Sequence, residues 1–290
     1  MNPFTRSDAP QTRAQARPTT EPVPVIGQPV MFAQRVVDDA NEPWYARTPK
    51  AFTVLGIDVH VSPLLFVYVG IILILSSFAG FYLFFLSAVG SLVLFGTVLV
   101  HELGHCQATR SVGGTVSHIL LWPLGGLAYV NLDSTSAKGD LWVAVAGPLT
   151  HIPMFLFWLC IAAVSYGHAS FIADAANQAC WLNVYLMAFN LFIPAYPLDG
   201  SRILTSALAI CGASIELASA VVIGISAVMS LGLLAYGIYF IEFLPVFVAS
   251  YTGAETYKLW SLRRQGTLQE HPTFMKYGDR SGRAWTVQAV

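Results

Sequence analysis

Val100-His101-Glu102-Leu103-Gly104-His105-Cys106 closes an apolar stretch that begins near Phe81, and it sets two imidazoles and a carboxylate where hydrocarbon-facing residues are expected. Ionisable groups are costly in a bilayer interior and persist there for function. On a helix, positions i and i+4 share a face, so His101 and His105 point the same way and both rings can reach one Zn²⁺. Glu102 then stands beside that ion as an acid–base group, which is the H-E-x-x-H spacing of zinc-dependent peptide hydrolysis. The competing reading is three polar residues packed against neighbouring helices.

Composition agrees with a membrane setting: 55% of the 290 residues are hydrophobic, 11% are charged, and the mean hydropathy is +0.60. The apolar residues come in blocks, several reaching the roughly 20 needed to cross hydrocarbon, without the alternation of a half-buried strand. An all-α polytopic membrane protein is expected. A net charge of -1 without a clustered basic face argues against a nucleic-acid partner. The four cysteines, Cys106, Cys160, Cys180 and Cys211, form no C-x-x-C pair, so neither a disulfide framework nor a thiolate zinc site is indicated. No apolar signal core opens the chain, so insertion is expected to rely on the first span.

Residues 1–50 are polar and proline-rich, and they read as a disordered cytosolic tail. From Ala51 to Val61 apolar residues partly alternate around Gly56, which predicts a short strand or hairpin at the membrane surface, with His60 as a surface residue. Spans follow at Pro63 to Phe78, Tyr82 to Arg110, Leu141 to Tyr166 and Cys180 to about Leu208. The apolar region from Leu217 to Tyr251 would run about 52 Å as one straight helix, too long for a bilayer, so two spans broken near Gly237 are expected. About six transmembrane helices result, forming one domain over 51–251, with 252–290 as a second cytosolic tail.

Charge placement orients this arrangement. Of the 15 Lys and Arg, six lie in each tail and the other three, Arg110, Lys138 and Arg202, fall in connections on the same side. Both termini are therefore expected in the cytosol, with the cell membrane as the host. His101 and His105 then sit roughly 8 to 14 Å inside the cytosolic boundary.

Two His ligands leave a catalytic zinc one protein ligand short. Asp199 is the candidate third. It lies in Asn190-Leu191-Phe192-Ile193-Pro194-Ala195-Tyr196-Pro197-Leu198-Asp199-Gly200, where two prolines and a glycine interrupt a span. Irregular backbone is tolerated at membrane depth where it is buried in protein or lines a watery cavity. The alternative is that Asp199 merely marks a helix end; Glu216 and Glu242 are the other available acids, neither in a second helical motif.

H-E-L-G-H on one membrane helix, with N-x-x-x-P-x-x-P-L-D-G well downstream, resembles the site-2 protease family of intramembrane zinc metalloproteases, peptidase family M50. Leu124-Gly125-Gly126 and Ala146-Gly147-Pro148-Leu149 are similar to further segments of that family, and the resemblance covers about residues 51–251. It implies a three-helix catalytic core and one Zn²⁺ per chain held by His101, His105 and Asp199, with Glu102 activating water. It also implies cleavage of single-span membrane protein substrates within the lipid bilayer, near the cytosolic face, as in regulated intramembrane proteolysis.

Asn190 matches a family asparagine suited to donate a hydrogen bond to substrate or to the developing oxyanion. The chain departs from the common form in having one more residue between Asn190 and Pro194 and in carrying Ser201 in place of a second glycine. His151 stands where the family usually has asparagine, which makes it a candidate substrate-binding residue. Gly125 and Gly126, flanked by alternating Ile119, Leu121 and Tyr129, are suited to offer a strand edge to an unwound substrate. A catalytically inactive, metal-binding membrane scaffold of the same fold is the alternative; such a protein has no need of Glu102.

Overall fold

The computed structural model describes residues 48–132, 135–268 and Phe274. The expected N-terminal tail lies almost wholly outside the described residues, as does most of the chain beyond 268. A hairpin comes first, β1 (Lys50–Val54) and β2 (Ile57–Val61), turning through Leu55 and Gly56, both at positive φ. Pro63 opens α1 (Pro63–Ser77), where a missing N–H costs nothing because no helical carbonyl precedes it. The 31-residue helix α2 (Phe81–Ser111) carries the quoted motif in its last third.

Two more strands follow, β3 (Thr115–Trp122) and β4 (Gly125–Asn131), joined through Pro123 and Leu124. The sheet order is β1-β2-β3-β4, antiparallel except for the parallel β2/β3 pair, whose crossover is α1 and α2. Period-2 alternation puts Ile57, Val59, Val61, Ile119, Leu121 and Val130 on one face. They form one core with Val98, Cys106 and Ala108 of α2 and with Val143 and Ala146 of α3 (Ala137–Leu149).

Helix α3 starts on a Ser136 cap whose side chain accepts from the Gly139 N–H. It passes into α4 (His151–Ser165) at Thr150, between Pro148 and Pro153, each of which removes an N–H from the helical ladder. Then come α5 (Ser170–Phe192), an irregular stretch over 193–198, α6 (Asp199–Ile210), α7 (Ile215–Phe240) and α8 (Phe243–Gln265). Helices α7 and α8 fold back on each other. Gly237 faces Val246, and Ser230 Oγ lies 2.8 Å from Thr252 Oγ1.

Several expectations need correction. The fold is mostly helical rather than all-α, because the expected hairpin and the strand edge expected at Gly125 and Gly126 belong to one four-stranded sheet. Among the described residues, three helical stretches are long and apolar enough to cross a membrane: Phe81–Ser111, Ala137–Ser165 and Ile215–Phe240, with α1 a shorter apolar helix. The fourth expected span begins at Ser170 instead of Cys180 and ends at Phe192 instead of near Leu208, where Pro194 and Pro197 withdraw two donors. The final break falls at Ile241, in the left-handed region, and not at Gly237. Helix α8 runs on to Gln265, through the position where a tail was expected. His60 is buried, with its Nδ1–H donating to the Thr48 carbonyl at 2.6 Å.

Candidate metal centre

The last turns of α2 place His101, Glu102 and His105 in the protein interior, and the first turn of α6 brings Asp199 to them from 98 residues away. Asp199 reaches this spot because the chain doubles back tightly before it. A Cβ on Gly200 would overlap the Ile193 carbonyl, so glycine is required by space. Ser201 fits beside it, since its hydroxyl donates to the Leu198 carbonyl at 2.7 Å.

Asp199 Oδ2 lies 3.0 Å from His101 Nε2 and 3.2 Å from His105 Nε2, and the two Nε2 atoms are 3.1 Å apart. These separations are close to the roughly 3.3 Å edge of a tetrahedron whose metal bonds are about 2.0–2.1 Å long. The donor chemistry fits as well. His105 Nδ1 is 2.7 Å from the Val143 carbonyl, which can only accept, so its proton sits there and Nε2 turns a lone pair inward. His101 Nδ1 is likewise committed outward, to His151 Nε2 at 3.1 Å. Three lone-pair atoms facing one another at this distance repel unless a cation lies between them. Two imidazoles and one carboxylate suit zinc and leave a position open.

Glycines make room for this packing. A Cβ on Gly147 of α3 would fall on the His105 ring, and one on Gly126 of β4 would fall on the Glu102 side chain. The acid–base candidate Glu102 is therefore packed directly against β4. Arg202 of α6 holds the other Asp199 oxygen, Oδ1, at 3.7 Å. All four functional side chains border one cavity of about 820 Å³, lined further by Tyr68 of α1, Asn190 of α5 and Tyr251 of α8.

The remaining sequence candidates divide. Gly125 and Gly126 open β4 at the cavity. Asn190 lines the cavity with its amide donating to the Leu186 carbonyl at 3.1 Å, one turn back on its own helix. His151 is buried beside His101 at the wall of the same cavity and reaches Asn183 Oδ1 at 2.9 Å. Asn183 was not singled out in the sequence. A signal was present, since it lies two helical turns before Asn190 and so on the same face.

Residues 89–180 match the profile described as Peptidase family M50. Zinc metalloprotease MJ0392 of Methanocaldococcus jannaschii is 34% identical over 167 residues, 55% of this chain and 45% of that protein. Stage IV sporulation protein FB of Bacillus subtilis is 32% identical over 109 residues, 37% of this chain and 36% of that one. The chain thus spans less than half the length of these curated relatives. A solved structure, the site-2 protease from Methanocaldococcus jannaschii, superposes with a TM-score of 0.55 at 23% identity, covering 73% of this chain and 94% of that one. The last likeness speaks to fold. Together these likenesses bear out the resemblance drawn from the two motifs.

Proposed function

We propose that this relative of the M50 peptidases is an intramembrane zinc metalloprotease of the site-2 type. It is multi-pass in the cell membrane, with about six spans when α1, α5 and the start of α8 join the three long apolar stretches, and with both termini in the cytosol. It cuts the transmembrane segments of single-span membrane proteins near the cytosolic face, in the manner of regulated intramembrane proteolysis. One observation carries this reading: His101, His105 and Asp199 converge beside Glu102 at the wall of a large, mostly apolar cavity.

His101, His105 and Asp199 would hold one zinc ion per chain. When bound, zinc supplies a Lewis acid that polarises a carbonyl and brings the pKa of water near 7. Glu102 accepts the proton of the attacking water and later passes it to the leaving amine. Close packing on Gly126 holds that carboxylate in place, and Arg202 balances the charge of Asp199.

A helical substrate hides its peptide bonds and must unwind to be cut. Among the described residues β4 pairs with β3 alone, so its Gly125–Ala128 portion has a backbone edge suited to an extended peptide beside Glu102. Gly125 and Gly126 keep that edge clear of side chains, and Asn190 faces the same cavity as a further polar contact for the peptide.

The test is reconstitution in liposomes with a panel of single-span substrates, comparing wild type with Glu102→Gln and Asp199→Ala. Wild type cleaves. Glu102→Gln keeps its zinc but is inactive, and Asp199→Ala loses both. Cleavage surviving both substitutions contradicts the mechanism, and zinc uptake without cleavage by wild type favours the inactive scaffold.

A further inference from the structure

Resting on the metal-centre reading, we infer that His151 and Asn183 form a one-directional hydrogen-bond relay that holds His101 in the tautomer and orientation needed to bind the metal. This makes His151, which also borders the cavity, a positioning residue.

The direction of the relay follows from its far end. Asn183 of α5 is fully buried, and its Nδ2 donates to the Ala179 carbonyl at 2.9 Å, one turn earlier on the same helix. A carbonyl can only accept, so the amide is pinned with its NH₂ toward Ala179 and its Oδ1 toward His151. His151 Nδ1, 2.9 Å from Oδ1, must therefore carry the proton. Its Nε2 is then the acceptor, and His101 Nδ1 at 3.1 Å is the donor. Each assignment forces the next, and the last leaves His101 Nε2 with a lone pair aimed at His105 and Asp199.

The two imidazoles are thus held by different means. His105 is fastened by a backbone carbonyl, Val143, which no side-chain change removes. His101 depends on side chains of two other helices, α4 and α5. Outer partners of metal-bound histidines fix ring orientation and raise ligand basicity, and losing one weakens metal affinity about 10- to 100-fold. His151 is 1% exposed and tilted at 45° beside His101 with ring centroids 5.2 Å apart, so it is placed to brace the ring as well as to accept its proton.

The test measures zinc affinity by chelator competition on the purified full chain in detergent, with thermal melts of each metal-free form to confirm folding. His151→Leu weakens zinc binding about 10- to 100-fold. His151→Gln, whose Oε1 falls near the lost Nε2, restores most of it. Asn183→Leu weakens binding by a smaller factor. The double substitution His151→Leu with Asn183→Leu is no weaker than His151→Leu alone, because both remove one chain of bonds. Zinc affinity unchanged in His151→Leu, or additive losses in the double variant, overturns the inference. Should His151→Leu fail to fold, unchanged affinity in Asn183→Leu overturns it equally. Wild type that takes up no zinc, or Asp199→Ala that binds as tightly as wild type, overturns the metal-centre reading itself.

Discussion

Replacing Gly147 with alanine adds one methyl group to α3, and its consequence can be worked from the packing. The new Cβ would lie 2.5 Å from His105 Cε1 and 2.8 Å from Cδ2, and closer still to Nε2. Carbon atoms settle at about 3.5–4.0 Å, so the ring must retreat by about 1 Å. It cannot swing freely, because Nδ1 is bound to the Val143 carbonyl of the same helix at 2.7 Å. Metal sites tolerate about 0.2 Å of ligand error, and a misplacement of about 1 Å costs on the order of 100-fold in rate.

Gly147→Ala is therefore expected to lower zinc affinity at least tenfold and cleavage about 100-fold. Overpacking is expected to cost about 1–3 kcal/mol of stability, against a helix-propensity gain of about 0.5–1 kcal/mol. Gly96→Ala on α2 is the control, because nothing lies within 4 Å of its Cβ. It should leave zinc and cleavage unchanged. Zinc content, melting temperature and cleavage of a reconstituted substrate measure these effects. A Gly147→Ala protein with full zinc and full activity would refute the packing argument.

Three further predictions use other parts of the fold. Gly126→Val drives a side chain into Glu102 and should cut cleavage 10- to 100-fold while zinc content holds, since Gly126 touches the acid–base residue and not the ligands. Gly237→Val would set a side chain against Val246 Cγ2, 2.7 Å from the Cβ position, and against the Glu242 carbonyl; thermal melts should show a loss of about 1–3 kcal/mol from the α7–α8 pair. Burial beside His60 pushes His118 of β3 down to about 4. The folded state thus resists protonation that the unfolded chain accepts near pH 6.5. The stability this histidine contributes is complete above pH 6.5 and is lost as pH falls toward 4, so melting temperature should drop across that window in wild type and less in His118→Phe.

The residues of the candidate site were legible because membranes penalise them. Two histidines at i, i+4 in an apolar run and an aspartate after helix-breaking prolines are conspicuous against hydrocarbon. The structure brings their side chains within hydrogen-bond distance. What escaped notice was polar material inside a helix. Helix α5 carries Asp174, Asn177 and Gln178 in its first turns, which made its start read as a loop. The structure pairs the exposed Asp174 with the Tyr82 hydroxyl and turns Asn183 inward onto His151.

The sheet was half visible for a related reason. Strands β1 and β2 alternate openly around Gly56, whereas the second half of β3 is the apolar run Ile119–Trp122, buried through Leu121, and such a run carries no period that separates strand from helix. Helix α8 mixes apolar and charged residues. Its ends are set by the turn at Ile241 and the left-handed Gly266, and hydropathy does not record either signal.

The central claim is that side chains of α2 and α6 grip one zinc ion. Zinc-edge X-ray absorption on the purified full chain tests it most directly. The account predicts one zinc per chain, bound by two imidazole nitrogens and by oxygen at about 2.0–2.2 Å, with the imidazole signal reduced in His105→Ala. A first shell containing sulfur, or one unchanged by replacing His105 or Asp199, would contradict it.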